Sequence, residues 1–361
     1  MSLEWIKPRK RCVKTMSKLN AFLKRKDIVF SAKRYGIDAL GAMAQGLFCS
    51  LLVGTIVKTL GQQLALDFLV QVGDFASQMS GAAMAVAIGF ALKAPAMVLF
   101  SLATVGYAAN SIGGAGGPLA VFVIAIVAAE CGKVVSKETK VDILVTPIVT
   151  ILVGVGLAAL IAAPIGKAAM AVGDAIKWAT GQQPFLMGIL VSVIVGIALT
   201  LPISSAAICA ALGLTGLAGG AAVAGCCAQM VGFAVMSFKE NRWGGLVAQG
   251  IGTSMLQMPN IIKNPRVWIP PIVASAITGP LATCLFKLEM NGAPVSAGMG
   301  TCGFVGQIGV ITGWAEKTVT AMDWVGLALI CFVLPAVISW AVCEVLRRIG
   351  WIGKNDLKLE L

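Results

Sequence analysis

The sequence predicts an all-α polytopic membrane protein with about 8–10 transmembrane helices, parallel internal repeats and re-entrant hairpins. Hydrophobic residues make up 58% of its 361 residues and charged residues 12%, and the mean hydropathy is +0.90. These values lie outside the usual range of soluble domains. Several charge-free runs reach the roughly 20 residues that a spanning helix needs, and one extends from residue 178 to 238. No soluble core hides a run of that length.

The pattern of charge and hydropathy divides the chain into five regions. These are a basic amphipathic cytoplasmic segment at 1–36, membrane repeat 1 at 37–140, membrane repeat 2 at 141–242, a C-terminal membrane part with re-entrant hairpins at 243–347, and a cytoplasmic tail at 348–361. Both termini are expected in the cytoplasm, because basic residues flank the membrane part at each end.

The N-terminal segment carries much of the net charge of +12. Cys12, Met16, Leu19 and Leu23 share one face of a helix with lysines around them, which is typical of a basic amphipathic helix on anionic lipid. The alternative is a disordered basic tail. The basic region is too long for a cleavable signal peptide, and we expect no nucleic-acid partner.

Residues in the first part of the chain match residues about one hundred positions later in the same order, which indicates an internal duplication. Val72-Gly73-Asp74 corresponds to Val172-Gly173-Asp174, and the stretch Gly89–Pro95 to Gly196–Pro202. Single matches of Gly or Ala arise by chance in membrane sequences, but this series also includes Asp and Pro. The loops after each repeat are basic, so both repeats have the same orientation and are parallel.

The segments of the repeats follow from their apolar runs and breaks. Repeat 1 is expected to contain a span at 37–57, an amphipathic segment at 60–75, and apolar segments at 79–93, 95–110 and 117–132. Repeat 2 is expected at 143–166, 167–180, 185–201, 203–218 and 220–238. Pro95 and Pro202 each begin an apolar segment, where a helix break is expected. Lys93 and Glu130 are expected at helix ends, with their charges reaching the interface.

The C-terminal part has a different pattern. Positive charge flanks both ends of 243–262, which favours a re-entrant hairpin over a single crossing. Spans at 267–286 and 324–345 follow, with a Gly-rich segment, 291–313, between them. The motif at 298–303 matches GxGxxG, but a membrane context excludes the βαβ unit that a dinucleotide site requires.

The chain contains no histidine, which excludes histidine bases, metal ligands and proton relays within it. Its ten cysteines show no CxxC spacing and are interpreted as small buried hydrophobes. We expect no catalytic residue, no metal site and no cofactor.

Three polar islands interrupt the apolar sequence and are the candidate binding residues. They are Asn110; Ser204 and Ser205; and Ser254, Gln257 and Asn260, joined by Thr301 and Gln307 in the next Gly-rich segment. Amides and hydroxyls can bind a polar, uncharged solute, and irregular polar backbone is tolerated in a bilayer only where protein buries it or where it lines a cavity. The alternative role is interhelical hydrogen bonding.

At these residues the sequence resembles a known family. PISSAAI at 202–208, QGIGTSMLQMPNIIKNP at 249–265 and GMGTCGFVGQIG at 298–309 are similar to the EIIC-type membrane component of the bacterial phosphotransferase system, in the branch typified by the PfoR toxin regulator. The resemblance covers roughly residues 35–345. It implies a homodimer in the bacterial inner membrane that binds a sugar-like solute, which a separate phosphoryl-carrier protein phosphorylates.

The sequence departs from that family in having no phosphoryl-carrying domain and no histidine beside the expected solute. Three hypotheses follow. The first is an EIIC-like transporter of a small polar solute that works by alternating access. The second is a membrane sensor that regulates toxin genes, and the third is a transporter uncoupled from phosphorylation, driven by ions or by the solute gradient.

Overall fold

The computed structural model of the chain describes residues 20–316 and 318–359. These residues are mostly helical, and the one β contact among them is an isolated antiparallel bridge between Gly216 and Met290. They include six helical stretches that are long and apolar enough to cross a membrane, with three shorter apolar helices beside them. The predicted fold class, all-α and polytopic, is therefore confirmed.

The region predicted as repeat 1 forms five helices. They are α1 (Arg34–Gln63), α2 (Asp67–Gln78), α3 (Ser80–Ala91), α4 (Ala96–Gly113) and α5 (Gly117–Val135). The chain reverses between α4 and α5 at Gly114, whose positive φ of 51° suits a residue without a side chain. The two helices then pack against each other along their length.

The region predicted as repeat 2 forms four helices. They are α6 (Asp142–Thr180), α7 (Pro184–Thr200), α8 (Ser205–Leu212) and α9 (Gly216–Met236). The helix in the predicted apolar segment 203–218 is shorter than expected, because Gly213 adopts the left-handed conformation and ends α8 after two turns. Pro95 and Pro202 lie before α4 and α8 respectively, as predicted for helix breaks. The boundaries of the repeats stay predictions.

The C-terminal part contains short helices joined by irregular turns. They are α10 (Phe238–Val247), α11 (Met258–Lys263), α12 (Ile269–Pro280), α13 (Val305–Gly313) and α14 (Ala321–Ala328, continuing to Arg348). A π-helical turn at Ala248–Gly252 and a 3-10 turn at Ser254–Gln257 join α10 to α11. The end of α10, these two turns and most of α11 lie within 243–262, the segment predicted to be a re-entrant hairpin.

The N-terminal helix and the C-terminal residues meet at one face of the bundle, where Asp38 and Ala91 line the same cavity as Lys358 and Leu359. Asn241 donates a hydrogen bond to the carbonyl of Leu357, and Arg347 pairs with Glu240 at 2.7 Å. Near the other end, Arg34 donates to the carbonyl of Leu92 at 2.6 Å. We call this the tail face. The predicted N-terminal amphipathic helix depends on residues 12, 16, 19 and 23, and all but Leu23 lie outside the described residues.

Glu130 differs from its expected position at a helix end. It lies inside α5, where its Oε2 is 3.1 Å from Nζ of Lys133 and its Oε1 accepts a hydrogen bond from Tyr35. Lys133 is 1% exposed and also donates to the carbonyls of Asp27 and Leu92. A buried ammonium requires such partners, so the pair is retained in the interior instead of reaching the interface.

Replacing Gly106 with Ala should destabilise the bundle, because α3 and α4 cross in contact at this glycine. A Cβ on Gly106 would lie 2.2 Å from the carbonyl oxygen of Gly81. Overpacking of this kind typically costs about 1–3 kcal/mol. Thermal unfolding of the purified protein should therefore begin at a lower temperature. Gly156→Ala in α6 is the matched control: nothing lies within 4 Å of its added Cβ, so the midpoint should stay or rise.

Candidate functional site

A cavity of about 290 Å³ lies where the two predicted repeats meet the C-terminal part. Its lining residues form three groups, which we call walls. The first comes from α1 to α5, the second from the end of α7 and the start of α8, and the third from the turns around residues 252–255 and 299–302. Helix ends and irregular turns thus line a partly open cavity, and such segments carry backbone polar groups that are not used within a helix.

The first wall contributes an amide and hydroxyls. Asn110 on α4 and Ser80 on α3 face each other, with Asn110 Nδ2 3.4 Å from the Ser80 hydroxyl. Gly117 allows this position of Asn110, since a Cβ there would lie 2.4 Å from the Asn110 amide oxygen. A contact of 3.4 Å is a weak hydrogen bond, so the amide nitrogen of Asn110 keeps donor capacity for a ligand.

The second wall is the turn before α8. The backbone N–H of Ser204 donates to the carbonyl of Ala115 at 2.8 Å, which joins this turn to the reversal between α4 and α5. The Ser204 hydroxyl caps α8 by accepting from the Ala207 N–H, and it can still donate its own proton. Ser205 instead donates to the carbonyl of Gly298 at 2.8 Å, which ties α8 to the third wall.

The third wall consists of Gly252, Thr253, Met255, Met299 and Cys302. The Thr253 hydroxyl accepts from the N–H of Met255, which shapes the turn between the π-helical and 3-10 segments. The turn around residues 252–255 and the Gly-rich segment 291–313 therefore meet at the cavity.

Among the described residues that line the cavity, none is charged. The polar groups are hydroxyls of serine and threonine and the amide of Asn110, placed among apolar side chains of α1 and α7. A site with few polar groups on an apolar wall is the usual composition of a small-molecule site, and uncharged donors and acceptors suit a neutral polar solute.

The structure brings together Asn110, Ser204 and Ser205, which the sequence analysis placed in two separate islands. Two residues from the third island lie next to this cavity but point away. Ser254 is 2.8 Å from the hydroxyl of Thr200, which also contacts Gln229. Thr301 donates to the carbonyl of Gly250.

Gln257 and Asn260 lie apart from the lining of this cavity, at the tail face. Gln257 donates to the carbonyl of Leu357 and to the side chain of Gln249, and Asn260 donates to Gln257 and to the carbonyl of Lys358. Asn260 also borders a second cavity, of about 240 Å³, beside Lys358. The assignment of these two amides to solute binding stays a prediction.

Gln307 is buried on α13, with its Nε2 3.2 Å from the sulfur of Cys227. Its Oε1 is buried and has no hydrogen-bond partner among the described residues. The structure thus places Gln307 against α9 and apart from the lining of the cavity, and its assignment to the solute also stays a prediction.

The sequence analysis missed Ser77, Ser80 and Thr253, which all line the cavity. A serine at the broken junction between two apolar helices was the available signal for Ser77 and Ser80, because such junctions face protein or water in a bilayer.

Comparison with known proteins identifies one family. Residues 37–359 match the family described as "Phosphotransferase system, EIIC". No curated protein and no solved structure shows significant similarity to the chain.

Proposed function

The chain belongs to the EIIC family of the phosphotransferase system, and on that premise we propose that it carries a small, neutral, sugar-like solute through the cavity lined by Asn110 and Ser204. As a family member it is a multi-pass membrane transport component. The single observation that supports this solute is the uncharged polar lining of the cavity. The PfoR-like branch stays a prediction.

The proposed mechanism is alternating access around this cavity. Asn110 binds two adjacent hydroxyls of the solute through its amide oxygen and nitrogen, and Ser204 donates a third hydrogen bond. The walls come from three different parts of the chain, so movement of one part against the others can open the cavity to either side. Ser205 and Thr301 fix the third wall through the carbonyls of Gly298 and Gly250.

We also propose the membrane, the orientation and the partners of the protein. We place it in the bacterial cytoplasmic membrane, with the tail face and both termini on the cytoplasmic side, where basic residues are enriched. The N-terminal segment contacts anionic lipid, the chain forms a homodimer, and a separate phosphoryl-carrier protein acts at the tail face. Ser254 supports the third wall through its contact with the hydroxyl of Thr200, and a role of Gln257, Asn260 and Gln307 in solute binding stays a prediction.

The test is uptake by the purified protein in proteoliposomes. A panel of neutral hexoses, pentoses and hexitols is offered with and without phosphoenolpyruvate and the soluble phosphotransferase proteins. Uptake that depends on the phosphoryl donor supports the coupled transporter. Uptake without a donor contradicts the coupling, and binding without any uptake contradicts transport in favour of the sensor.

Replacing Asn110 with Ala should weaken binding of the transported solute about tenfold, since a hydrogen bond contributes roughly 0.5–1.5 kcal/mol and a factor of ten is about 1.4 kcal/mol. Ligand-induced thermal stabilisation measures this affinity. Ser101→Ala on the same helix is the control, because the Ser101 hydroxyl bonds only to its own helix at Met97. Equal affinities for the two variants would remove Asn110 from the site.

A further inference from the structure

The C-terminal segment 351–359 lies in a cradle of amide side chains at the tail face. Asn241 and Gln257 donate to the carbonyl of Leu357 at 2.7 and 3.1 Å, and Asn260 donates to the carbonyl of Lys358 at 2.9 Å. The Asn241 amide oxygen also accepts from the N–H of Leu359 at 2.8 Å. A segment without regular secondary structure thus has three of its backbone groups satisfied by side chains from α10, the 3-10 turn and α11.

Further contacts hold the start of the same segment. Asn264 donates to the carbonyl of Trp351 and to the carboxylate of Asp356, while the Arg266 guanidinium lies 5.1 Å from the ring centre of Trp351. The aliphatic side chains of the segment point inward, while Trp351 is partly exposed. Ile352, Leu357 and Leu359 are all buried, and Leu357 is 0% exposed. The segment is therefore docked at both of its ends, while residues 353–355 between them are exposed.

The cradle is connected to the solute cavity through one short stretch of chain. Gln257 donates to the Gln249 amide oxygen at 2.8 Å, and Gln249 donates in turn to the Ser237 hydroxyl and the carbonyl of Gly245. Between these two glutamines lie the residues that form part of the third wall, among them Gly252, Thr253 and Met255. The tail thus contacts one end of the segment whose middle encloses the cavity.

We propose that residues 351–359 act as a strap, which holds the 249–257 segment in place and keeps the cavity closed toward the tail face. Release of the strap removes the Leu357 carbonyl from the buried amide of Gln257 and the Lys358 carbonyl from that of Asn260. A buried unpaired amide is costly, so the segment rearranges until these groups meet water. That movement opens the third wall.

The inference rests on the proposed function only in taking this cavity as the solute site. Because coupling between two sites is reciprocal, opening the cavity toward the tail face also loosens the strap. A soluble protein that binds the released tail would therefore promote opening. The strap is a regulatory contact between the tail face and the transport site.

Cys302 provides a reporter, because it lines the cavity and is 1% exposed. The purified full-length protein is treated with N-ethylmaleimide, and mass spectrometry measures the labelling of each cysteine. Leu357→Asp places a charge in the buried tail site and should release the strap. We expect Cys302 to be labelled about tenfold faster in this variant, which corresponds to a tenfold larger open population when opening and closing are fast.

Two comparisons make the result specific. Lys354→Ala changes an exposed residue of the same segment and should leave the labelling rate of Cys302 unchanged. Cys331 is fully buried on the helix that runs from Ala321 to Arg348, outside the cavity lining, and reports on global unfolding. It should stay unlabelled in every variant in which only the strap is released.

The milder variant Asn241→Ala removes two hydrogen bonds to the tail and no apolar contact. A chain that ends at Gly350 removes the strap altogether. The proposal is overturned if Cys302 in the truncated chain keeps its native rate. It is equally overturned if Cys302 and Cys331 become reactive together. Neither outcome depends on solute uptake, so failure of the transport proposal is seen separately.

Discussion

Replacing Ala206 with Trp should abolish solute uptake while the protein stays folded. Ala206 lines the cavity near the start of α8, and its side chain makes no hydrogen bond. An indole at this position occupies the space that the solute needs, in a cavity of only about 290 Å³. The measurement is initial uptake by proteoliposomes of the solute identified from the sugar panel, together with its binding by thermal stabilisation.

The matched control is Ala210→Trp, one turn later on the same helix. Ala210 is exposed and lies outside the lining of the cavity, so an indole there should leave uptake near the native rate. Both variants carry the same added side chain on the same short helix. Native uptake by Ala206→Trp would show that the solute takes another route. Loss of uptake in both variants would trace the effect to α8 itself instead of the cavity.

Replacing Glu130 with Ala should destabilise the protein more than any other single change discussed above. The substitution leaves the buried ammonium of Lys133 without its countercharge, and breaking a buried pair in this way costs about 3–5 kcal/mol. Tyr35 loses its acceptor as well. The expected result is a large fall in the midpoint of thermal unfolding of the purified protein.

A second variant separates charge from packing. Adding Lys133→Met to Glu130→Ala removes the unpaired charge and should restore much of the lost stability, since replacing both partners of a buried pair is far less costly than removing one. Asp74→Ala breaks an exposed ion pair with Lys58 and should leave the midpoint unchanged. If the double variant is no more stable than Glu130→Ala, the buried charge is not the cause.

Much of the helical architecture could be predicted from hydropathy and helix-breaking residues. The predicted segments 95–110 and 117–132 correspond to Ala96–Gly113 and Gly117–Val135, because a Gly-rich reversal separates two apolar runs. The prediction for the segment 203–218 was less accurate. The left-handed turn at Gly213 ends α8 early, and an apolar run gives no indication of which of its several glycines ends a helix.

The candidate site was predictable only in part. Asn110, Ser204 and Ser205 stand out as polar residues in apolar runs, and the structure places them around one cavity. Gln257 and Asn260 stand out for the same reason, but their partners are main-chain carbonyls of residues about one hundred positions later. Such a partner has no distinctive residue type, so a sequence pattern of polar amides does not distinguish a solute site from a tail site.

The amide side chains hold the segment 351–359 mainly through its main-chain carbonyls, and this has an evolutionary consequence. Amides that bind the backbone of residues 357 and 358 impose little on the identity of those side chains, apart from the burial of Leu357. The last residues of related chains can therefore diverge widely while their docking is preserved. Selection would act instead on the receiving amides, such as Asn241, and on the length of the chain that reaches them.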